Sequence, residues 1–407
     1  MKTQIIKIVT LSFVLGISLF TTSCKNNDVM PETNFAETGN HSATRSGNFA
    51  ILQFDGEKFG KAIETYMNGK VAGYGYNVMH DGVLVAGGGG GWARKQFESN
   101  PVKHSYHQRQ GIASSTKFVT ALATVALLEK YKIPLSAYVY LYLPVSWKPG
   151  ETFKKITFER LLAHRTGLVN NGGTWEGFKK TVEGPIQQDE FDANIRDYDN
   201  INYALLGIIL PYVVIKKTQS LTNQQLLALE NFSDNWYSVN GLGFQFRNIV
   251  RNYVFKPAGL QYWNIMDYAV WNNYGLMNAE LGTKGYPSAN GTEPGLLKGD
   301  TRINGGAGGL YISPNEFGQI QLAAAQGKIV TDEIYEEMKT KRLGFDGIVN
   351  GVRGKYYWKN GGADNHETMI FDMGRTQICV FANSGTSQIG NDATIIANAY
   401  DSAWVIK

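Results

Sequence analysis

Ser114 and Lys117 stand three residues apart at the start of an apolar run, Val119-Thr120-Ala121-Leu122-Ala123-Thr124-Val125-Ala126-Leu127-Leu128. The run predicts a buried or amphipathic helix with the serine at its beginning. Three residues along a helix make about one turn, so the Lys117 amine can reach the Ser114 hydroxyl. The helix N-terminus adds free backbone N–H groups and a positive dipole end where an oxyanion would form. A lysine among apolar side chains is disfavoured in its charged form, which lowers its pKa toward that of a usable base. These features describe an activated serine nucleophile. The same residues also fit an N-capping serine beside a snorkelling lysine. S-x-x-K occurs once in the chain, at Ser114.

Further blocks weigh between these readings. Ile156-Thr157-Phe158-Glu159-Arg160-Leu161-Leu162-Ala163-His164-Arg165-Thr166-Gly167-Leu168, Phe255-Lys256-Pro257-Ala258-Gly259-Leu260 and Gly308-Gly309-Leu310-Tyr311-Ile312-Ser313 follow in order. With these the chain resembles the serine β-lactamase and penicillin-binding-protein superfamily, in its class C β-lactamase-like branch, over roughly residues 50–405. That branch also holds D-Ala-D-Ala peptidases, esterases and acyltransferases. Its Y-x-N motif has three candidates here: Tyr66-Met67-Asn68, Tyr198-Asp199-Asn200 and Tyr262-Trp263-Asn264. The first precedes the serine and the third lies beyond the expected helix. Tyr198 runs into Ile201-Asn202-Tyr203-Ala204-Leu205-Leu206-Gly207-Ile208-Ile209, a buried-helix pattern, and is selected. For the K-T-G-type motif, Lys359-Asn360-Gly361-Gly362 follows the strand-like Tyr356-Tyr357-Trp358 and precedes two more strand-like runs.

The resemblance implies an acyl-enzyme mechanism. Ser114 would attack a carbonyl, Lys117 and Tyr198 would share its proton, and Asn200 would hold Lys117 and a substrate amide. The backbone N–H groups of Ser114 and Gly362 would receive the oxyanion, and Lys359 would supply positive potential. Gly361 and Gly362 would let a substrate backbone approach the strand edge, and His366 would line the pocket. It implies no cofactor and no metal. His41, His80, His104, His107, His164 and His366 contain no H-E-x-x-H arrangement, and His164 reads as a satisfied buried residue. His104 and His107 fall in a stretch, Pro101 to Gln110, that reads as a polar loop. Two departures from the family concern substrate: Asp199 in the middle of the tyrosine motif, and Asp364-Asn365-His366-Glu367 in place of the usual P-G-F turn.

The expected fold is α/β (α+β), β-lactamase/transpeptidase-like: an antiparallel sheet flanked by helices plus a mainly helical lobe. The sheet lobe takes residues of about 49–104 and 311–407, and the helical lobe about 105–310. Phe54, Phe59, Ile63 and Met67 fall at helical spacing. Gly73 to Met79 and Val83 to Ala86 read as a hairpin joined by His80-Asp81-Gly82. The run Gly87 to Gly91 matches a phosphate loop only trivially and is better read as a strand end or bulge. Residues 216–246, with Phe232, Trp236, Tyr237, Phe244 and Phe246, and residues 262–300, with Trp263, Trp271 and Tyr274, read as aromatic inserts. Such inserts serve as packed surface loops or as a wall around an apolar or ring-bearing substrate.

Ahead of this body, Lys2 and Lys7 precede the apolar run Ile8 to Phe20, and Thr21-Thr22-Ser23-Cys24 resembles a bacterial lipobox. Residues 1–23 are thus expected to be a lipoprotein signal peptide, Cys24 the lipidated residue and 24–48 a disordered tether. The expected location is the bacterial cell envelope, with the membrane as partner through that anchor. Cys379, in Gln377-Ile378-Cys379-Val380-Phe381, reads as a small core residue rather than a disulfide partner. The net charge of +4 over 407 residues, without a basic block, gives little support for nucleic-acid binding. No obligate protein partner is evident. The expected substrate is a small-molecule or peptide acyl compound carrying an amide, ester or lactam carbonyl. The alternatives are an acyltransferase acting on a hydroxyl-bearing molecule and a non-catalytic binding module on the same fold. The G-x-S-x-G elbow of the competing Ser-His-Asp hydrolases is absent.

Overall fold

A computed structural model of the chain describes residues 52–218, 220–275 and 281–406. The expected signal peptide, Cys24 and the tether lie outside the described residues. After the short β1 (Leu52–Phe54), helix α1 (Gly56–Met67) starts at an Asp55 cap whose side chain accepts from the Lys58 N–H. Phe54 belongs to β1 rather than to the helix, where it packs against Phe59, Tyr400 and Trp404. Strands β2 (Gly73–His80) and β3 (Val83–Arg94) follow, then the two-residue pairs β4 (Val102–Lys103) and β5 (Gln110–Gly111).

The glycine run lies inside β3, paired with β2 from Gly73↔Gly91 to Asn77↔Gly87. A Cβ on Gly89 would meet the Tyr74 carbonyl oxygen at 2.5 Å and Ser105 Cα at 2.7 Å. The glycines therefore let the 103–106 segment lie flat on the strand, and no phosphate loop is formed. That segment is not simply a polar loop: His104 is buried and bonded to Gln110 at 2.9 Å.

The helical part comprises α2 (Thr116–Lys130), α3 (Phe158–Leu162), α4 (Trp175–Glu183), α5 (Gln188–Asp192), α6 (Asn200–Thr218), α7 (Asn223–Glu230), α8 (Ser233–Trp236) and α9 (Leu242–Val250). By length and composition α6 could cross a bilayer, but most of its side chains are buried in this lobe. The short strands β6 (Lys284–Gly285), β7 (Leu296–Leu297) and β8 (Tyr311–Ile312) lead to α10 (Pro314–Ala325) and α11 (Asp332–Thr340). A capping box of Ser313 and Glu316, with Pro314 in the first turn, starts α10. The chain closes with β9 (Gly347–Gly351), β10 (Gly354–Ala363), β11 (His366–Asp372), β12 (Thr376–Ala382), α12 (Thr394–Ser402) and β13 (Trp404–Ile406).

The main sheet has seven antiparallel strands in the order β4-β3-β2-β12-β11-β10-β9. Side chains alternate across it. Met369, Phe371, Ile378 and Val380 face a core shared with α1 and α12, while Ile370, Cys379 and Phe381 face the core of the helical lobe, with α10 between. Burial on both faces explains why β11 and β12 read as continuous apolar runs. Cys379 is fully buried, and its Sγ lies 3.2 Å from the Pro314 carbonyl oxygen.

The β10–β11 hairpin places the departure from the P-G-F turn. Ala363 pairs with His366, so the loop is the two residues Asp364 and Asn365, at φ 52° and 61°. Two successive left-handed residues suit a tight hairpin, and Asp and Asn adopt them more readily than most.

Candidate active site

Ser114 lies in a 3-10 turn, Ala113–Ser115, that leads directly into α2. Ala113 before it sits at φ 44°, a left-handed conformation costly for a residue with a Cβ. Lys117, one turn on, is fully buried with its Nζ 3.2 Å from Ser114 Oγ. The amine also donates to Asn200 Oδ1 at 2.7 Å and to the Ala307 carbonyl at 2.6 Å. Burial, then the nearby Lys359 charge, holds its pKa well below an ordinary lysine's, against the opposing pull of Asp346 and Asp199. A neutral amine has two N–H donors and one lone pair. With both donors committed, the lone pair is left for the Ser114 O–H.

Asn200 is the first residue of α6, and Tyr198 stands just ahead of it. Asp199 does not enter the site: its Oδ1 accepts from the Ile201 N–H at 2.8 Å and from Asn170 Nδ2 at 2.8 Å, capping the helix. The Tyr198 hydroxyl shares a hydrogen bond with Ser114, and its ring faces Lys117 Nζ at 5.0 Å and Lys359 Nζ at 5.2 Å. Desolvation, only partly offset by that hydrogen bond, raises its pKa to about 12, so it is a phenol at neutral pH. Behind it stacks His164, at 4.5 Å between ring centroids, itself packed on Tyr203 at 5.0 Å. His164 is buried and, mainly by desolvation, held neutral. It lies closer to the chemistry than its sequence block suggested.

Lys359 is buried too, and its ammonium is already committed. Nζ donates to Asp346 Oδ2 and to the Asn360 carbonyl, each at 2.6 Å, and Asp346 also pairs with Arg196 at 3.1 Å. Desolvation lowers its pKa against the attraction of Asp346. The positive potential near Ser114 is therefore that of an Arg196–Asp346–Lys359 cluster, not of a free lysine.

Strand β10 brings the glycines. β9 pairs only as far as Gly347↔Trp358, leaving the following edge open. The Trp358 carbonyl accepts from the Asp346 N–H across that edge at 2.8 Å. Alternation in an antiparallel ladder then turns the N–H groups of Asn360 and Gly362 to the same side. Gly361 is pressed on the nucleophile's turn: a Cβ there would meet the Ile112 carbonyl oxygen at 2.6 Å and Ser115 N at 2.8 Å. The Ser115 and Thr368 hydroxyls, 2.8 Å apart, tie the turn to β11.

Ser114, Asn200, Gly362 and His366 line one cleft of about 390 Å³, together with Asn170, Asn304, Thr301 and Lys298. Tyr198 and Lys359 border the serine without lining the cleft. Phe178 is the single Phe, Tyr or Trp among the cleft residues, so the insert of residues 262–300 contributes Lys298 and Gly299 to the wall but none of its aromatic rings. Trp236 packs on Tyr212, Phe246 on Tyr268, and Trp271 under Arg109, while Phe232 and Tyr274 are exposed. Trp236, Phe246 and Trp271 are thus buried inside the helical lobe. Tyr237 alone reaches the rim, donating to the Gly173 carbonyl at 2.8 Å. Among the described residues, no three His, Cys, Asp or Glu side chains are placed to hold a metal.

Sequence reasoning missed Asp346, Ala307, Arg196 and Lys298. Ala307 acts through its carbonyl and adjoins the Gly308-Gly309-Leu310 block, which was a usable signal. Asp346 and Lys298 lie outside any motif or periodic run.

The sequence matches the Beta-lactamase family over residues 59–364. It is 24% identical over 321 residues to PbpX of Bacillus subtilis (strain 168), named as a penicillin-binding protein, covering 75% of this chain and 69% of that one. The fold is similar to that of FmtA from Staphylococcus aureus, with a TM-score of 0.60, 19% identity and coverage of 85% of this chain and 88% of that one. It is also similar to a beta-lactamase/D-alanine carboxypeptidase from Yersinia pestis, with a TM-score of 0.58, 14% identity and coverage of 85% and 98%.

Proposed function

The chain belongs to the beta-lactamase family, a family of serine acyl-enzyme hydrolases, and from that premise we propose that Ser114 is an acylated nucleophile acting on an amide, ester or lactam carbonyl. The observation that carries this is the Lys117 amine, desolvated, with both donors occupied and Ser114 Oγ at 3.2 Å. Lys117 takes the Ser114 proton as the oxygen attacks. Tyr198, still protonated, relays a proton toward the leaving group. The N–H groups of Ser114 and Gly362 receive the carbonyl oxygen as it becomes an oxyanion. Asn200 fixes the amine and presents its amide to the substrate, and water completes hydrolysis.

The test is labelling with a fluorophosphonate and with a fluorescent penicillin, using Ser114→Ala as control. Labelling by at least one probe that vanishes in the variant is the expected result; none by either would favour a binding module. Adding alcohols to simple acyl donors then separates the outcomes. Product formed only with an alcohol present would make the protein an acyltransferase.

The proposal extends to location. The basic, apolar and small-residue succession from Lys2 to Cys24 supports a lipid anchor on the bacterial cell envelope, with the catalytic body held by residues 24–48.

A further inference from the structure

Besides Lys117 and Lys359, a further buried lysine, Lys298, lines the cleft and takes no part in the acylation chemistry. Lys298 is 8% exposed. Its stem lies over Gly111, three residues before the nucleophile, where a Cβ would meet Lys298 Cδ at 2.9 Å. Its ammonium is held by neutral acceptors: the Tyr268 carbonyl at 2.5 Å, the Gly299 carbonyl at 2.6 Å and Thr301 Oγ1 at 3.3 Å. Among the described residues it makes no ion pair. The acids near it lie beyond ion-pair distance: Asp300 is clasped by Arg302, Asp267 by Arg247 and Arg251, and Asp364, which also lines the cleft, sits exposed on the hairpin turn. Lys359 has Asp346 in direct contact; Lys298 has no acid in contact with it among the described residues.

A second observation points to a ligand at this end. His366 is buried, lines the cleft and has no partner for Nε2. Its ring is bonded to backbone at Ala363 and Asp364, and burial lowers its pKa to about 4, so Nε2 is a bare acceptor. Buried polar atoms are rarely left unpaired, and an unpartnered acceptor on a residue of the cleft lining calls for a donor from an occupant, such as an amide N–H or a hydroxyl, beside the group that Lys298 would take. A substrate chain laid antiparallel to β10, as the other strands of the sheet run, would direct its acyl part past Gly362 toward Lys298 and His366 and its leaving group toward Lys359.

We propose that Lys298 is a specificity-determining residue that receives a carboxylate on the acyl part of the substrate, making this a hydrolase selective for anionic acyl groups. This rests on the acyl-enzyme reading above. Three neutral oxygens take its three N–H donors without cancelling its charge, so an arriving carboxylate would displace the longest of these bonds, to Thr301 Oγ1 at 3.3 Å, and burial in the cleft wall strengthens the attraction. Desolvation brings the Lys298 pKa down to about 8, with Asp300, Asp364 and Asp267 opposing and Arg302 adding to the fall. It is therefore mostly charged at neutral pH.

The experiment compares kcat/KM for a glutaryl nitrophenyl ester with that for its monomethyl ester, an uncharged near-isostere, on the full chain. In the wild-type protein the ratio is expected to exceed tenfold at pH 7 and to fall as pH rises through about 8. Titration of Lys117 affects both esters and cancels in the ratio. In Lys298→Met the ratio should drop toward one, and Lys298→Arg should recover part of it. A wild-type ratio of one or below, or an equal ratio in Lys298→Met, overturns the proposal. If Lys298→Met does not fold, the wild-type ratio and its pH dependence still decide. Ser114-dependent fluorophosphonate labelling keeps the two failures apart: labelling with a flat ratio removes the carboxylate site alone, whereas no labelling removes the acyl-enzyme reading and this proposal with it.

Discussion

At the scale of single residues, the decisive quantity is the protonation state of Lys117. Its burial and the Lys359 charge favour the free amine, while Tyr198, near 12, stays a phenol. The base must be neutral to act, so labelling of Ser114 should rise with pH through the depressed lysine pKa and level off well short of an ordinary lysine's range. A rate that climbs to pH 10 would place the proton back on Lys117. Lys117→Met should slow labelling by about 10²–10⁴-fold. Tyr198→Phe should lower turnover without moving the midpoint of that pH profile. Asp346→Asn has a signed consequence: Asp346 raises the Lys117 pKa, so removing its charge should shift the acid limb to lower pH. The proximity of Ser114 and Lys117 was legible because both lie within one helical turn. The engagement of Lys359 was not, since Asp346, 13 positions earlier, meets it only when the intervening chain folds back.

At the scale of elements, the site exists because three backbone pieces converge: the turn before α2, the start of α6 and the open edge of β10. Gly361 sets the spacing of the first and third. Gly361→Ala would force β10 off the Ile112–Ser115 turn and misplace the Gly362 N–H. Turnover should fall by roughly 10²–10³, as for loss of an oxyanion donor, with destabilisation of about 1–3 kcal/mol from overpacking. Activity measured beside thermal unfolding checks both. Asp199→Ala should cost about 0.5–2 kcal/mol through the lost α6 cap, read by denaturant midpoint. The sequence pattern located α6 and the hairpin strands well, because burial on one or both faces leaves a periodic or continuous apolar record. It left open whether Asp199 faces the substrate or points away, because the letters of a motif carry no direction. The aromatic inserts stayed open between packed loop and cleft wall for a related reason: an aromatic ring is equally at home in a cleft and in a core.

For the molecule as a whole, stability should depend on pH through its buried histidines. His104 and His366 are both lowered to about 4 by burial, against about 6.5 unfolded. Between those values the unfolded chain binds the proton and the folded chain does not, so their contribution is complete above about pH 6.5 and is lost as pH falls toward 4. The full loss is on the order of 3 kcal/mol for each. Thermal unfolding followed from pH 7 to pH 4.5 should show a falling midpoint; an unchanged one would mean that these rings accept protons while folded. The anchor is a prediction at this scale too. Cys24→Ala should release the protein from the membrane fraction, with Ser114 labelling intact in the soluble one.

By itself the sequence singled out Ser114 and Lys117 as candidate nucleophile and base, the tyrosine motif, the glycine strand and the order of elements, because each depends on residues close in the chain or on an apolar period. Only the tertiary structure decided what surrounds them. It set Asp346 against Lys359, turned Asp199 into a cap, sank Trp236, Phe246 and Trp271 of the aromatic inserts into the helical core and left Lys298 in the cleft with no acid in contact among the described residues. Charge compensation and side-chain direction arise between segments distant in sequence, and no local spacing records them.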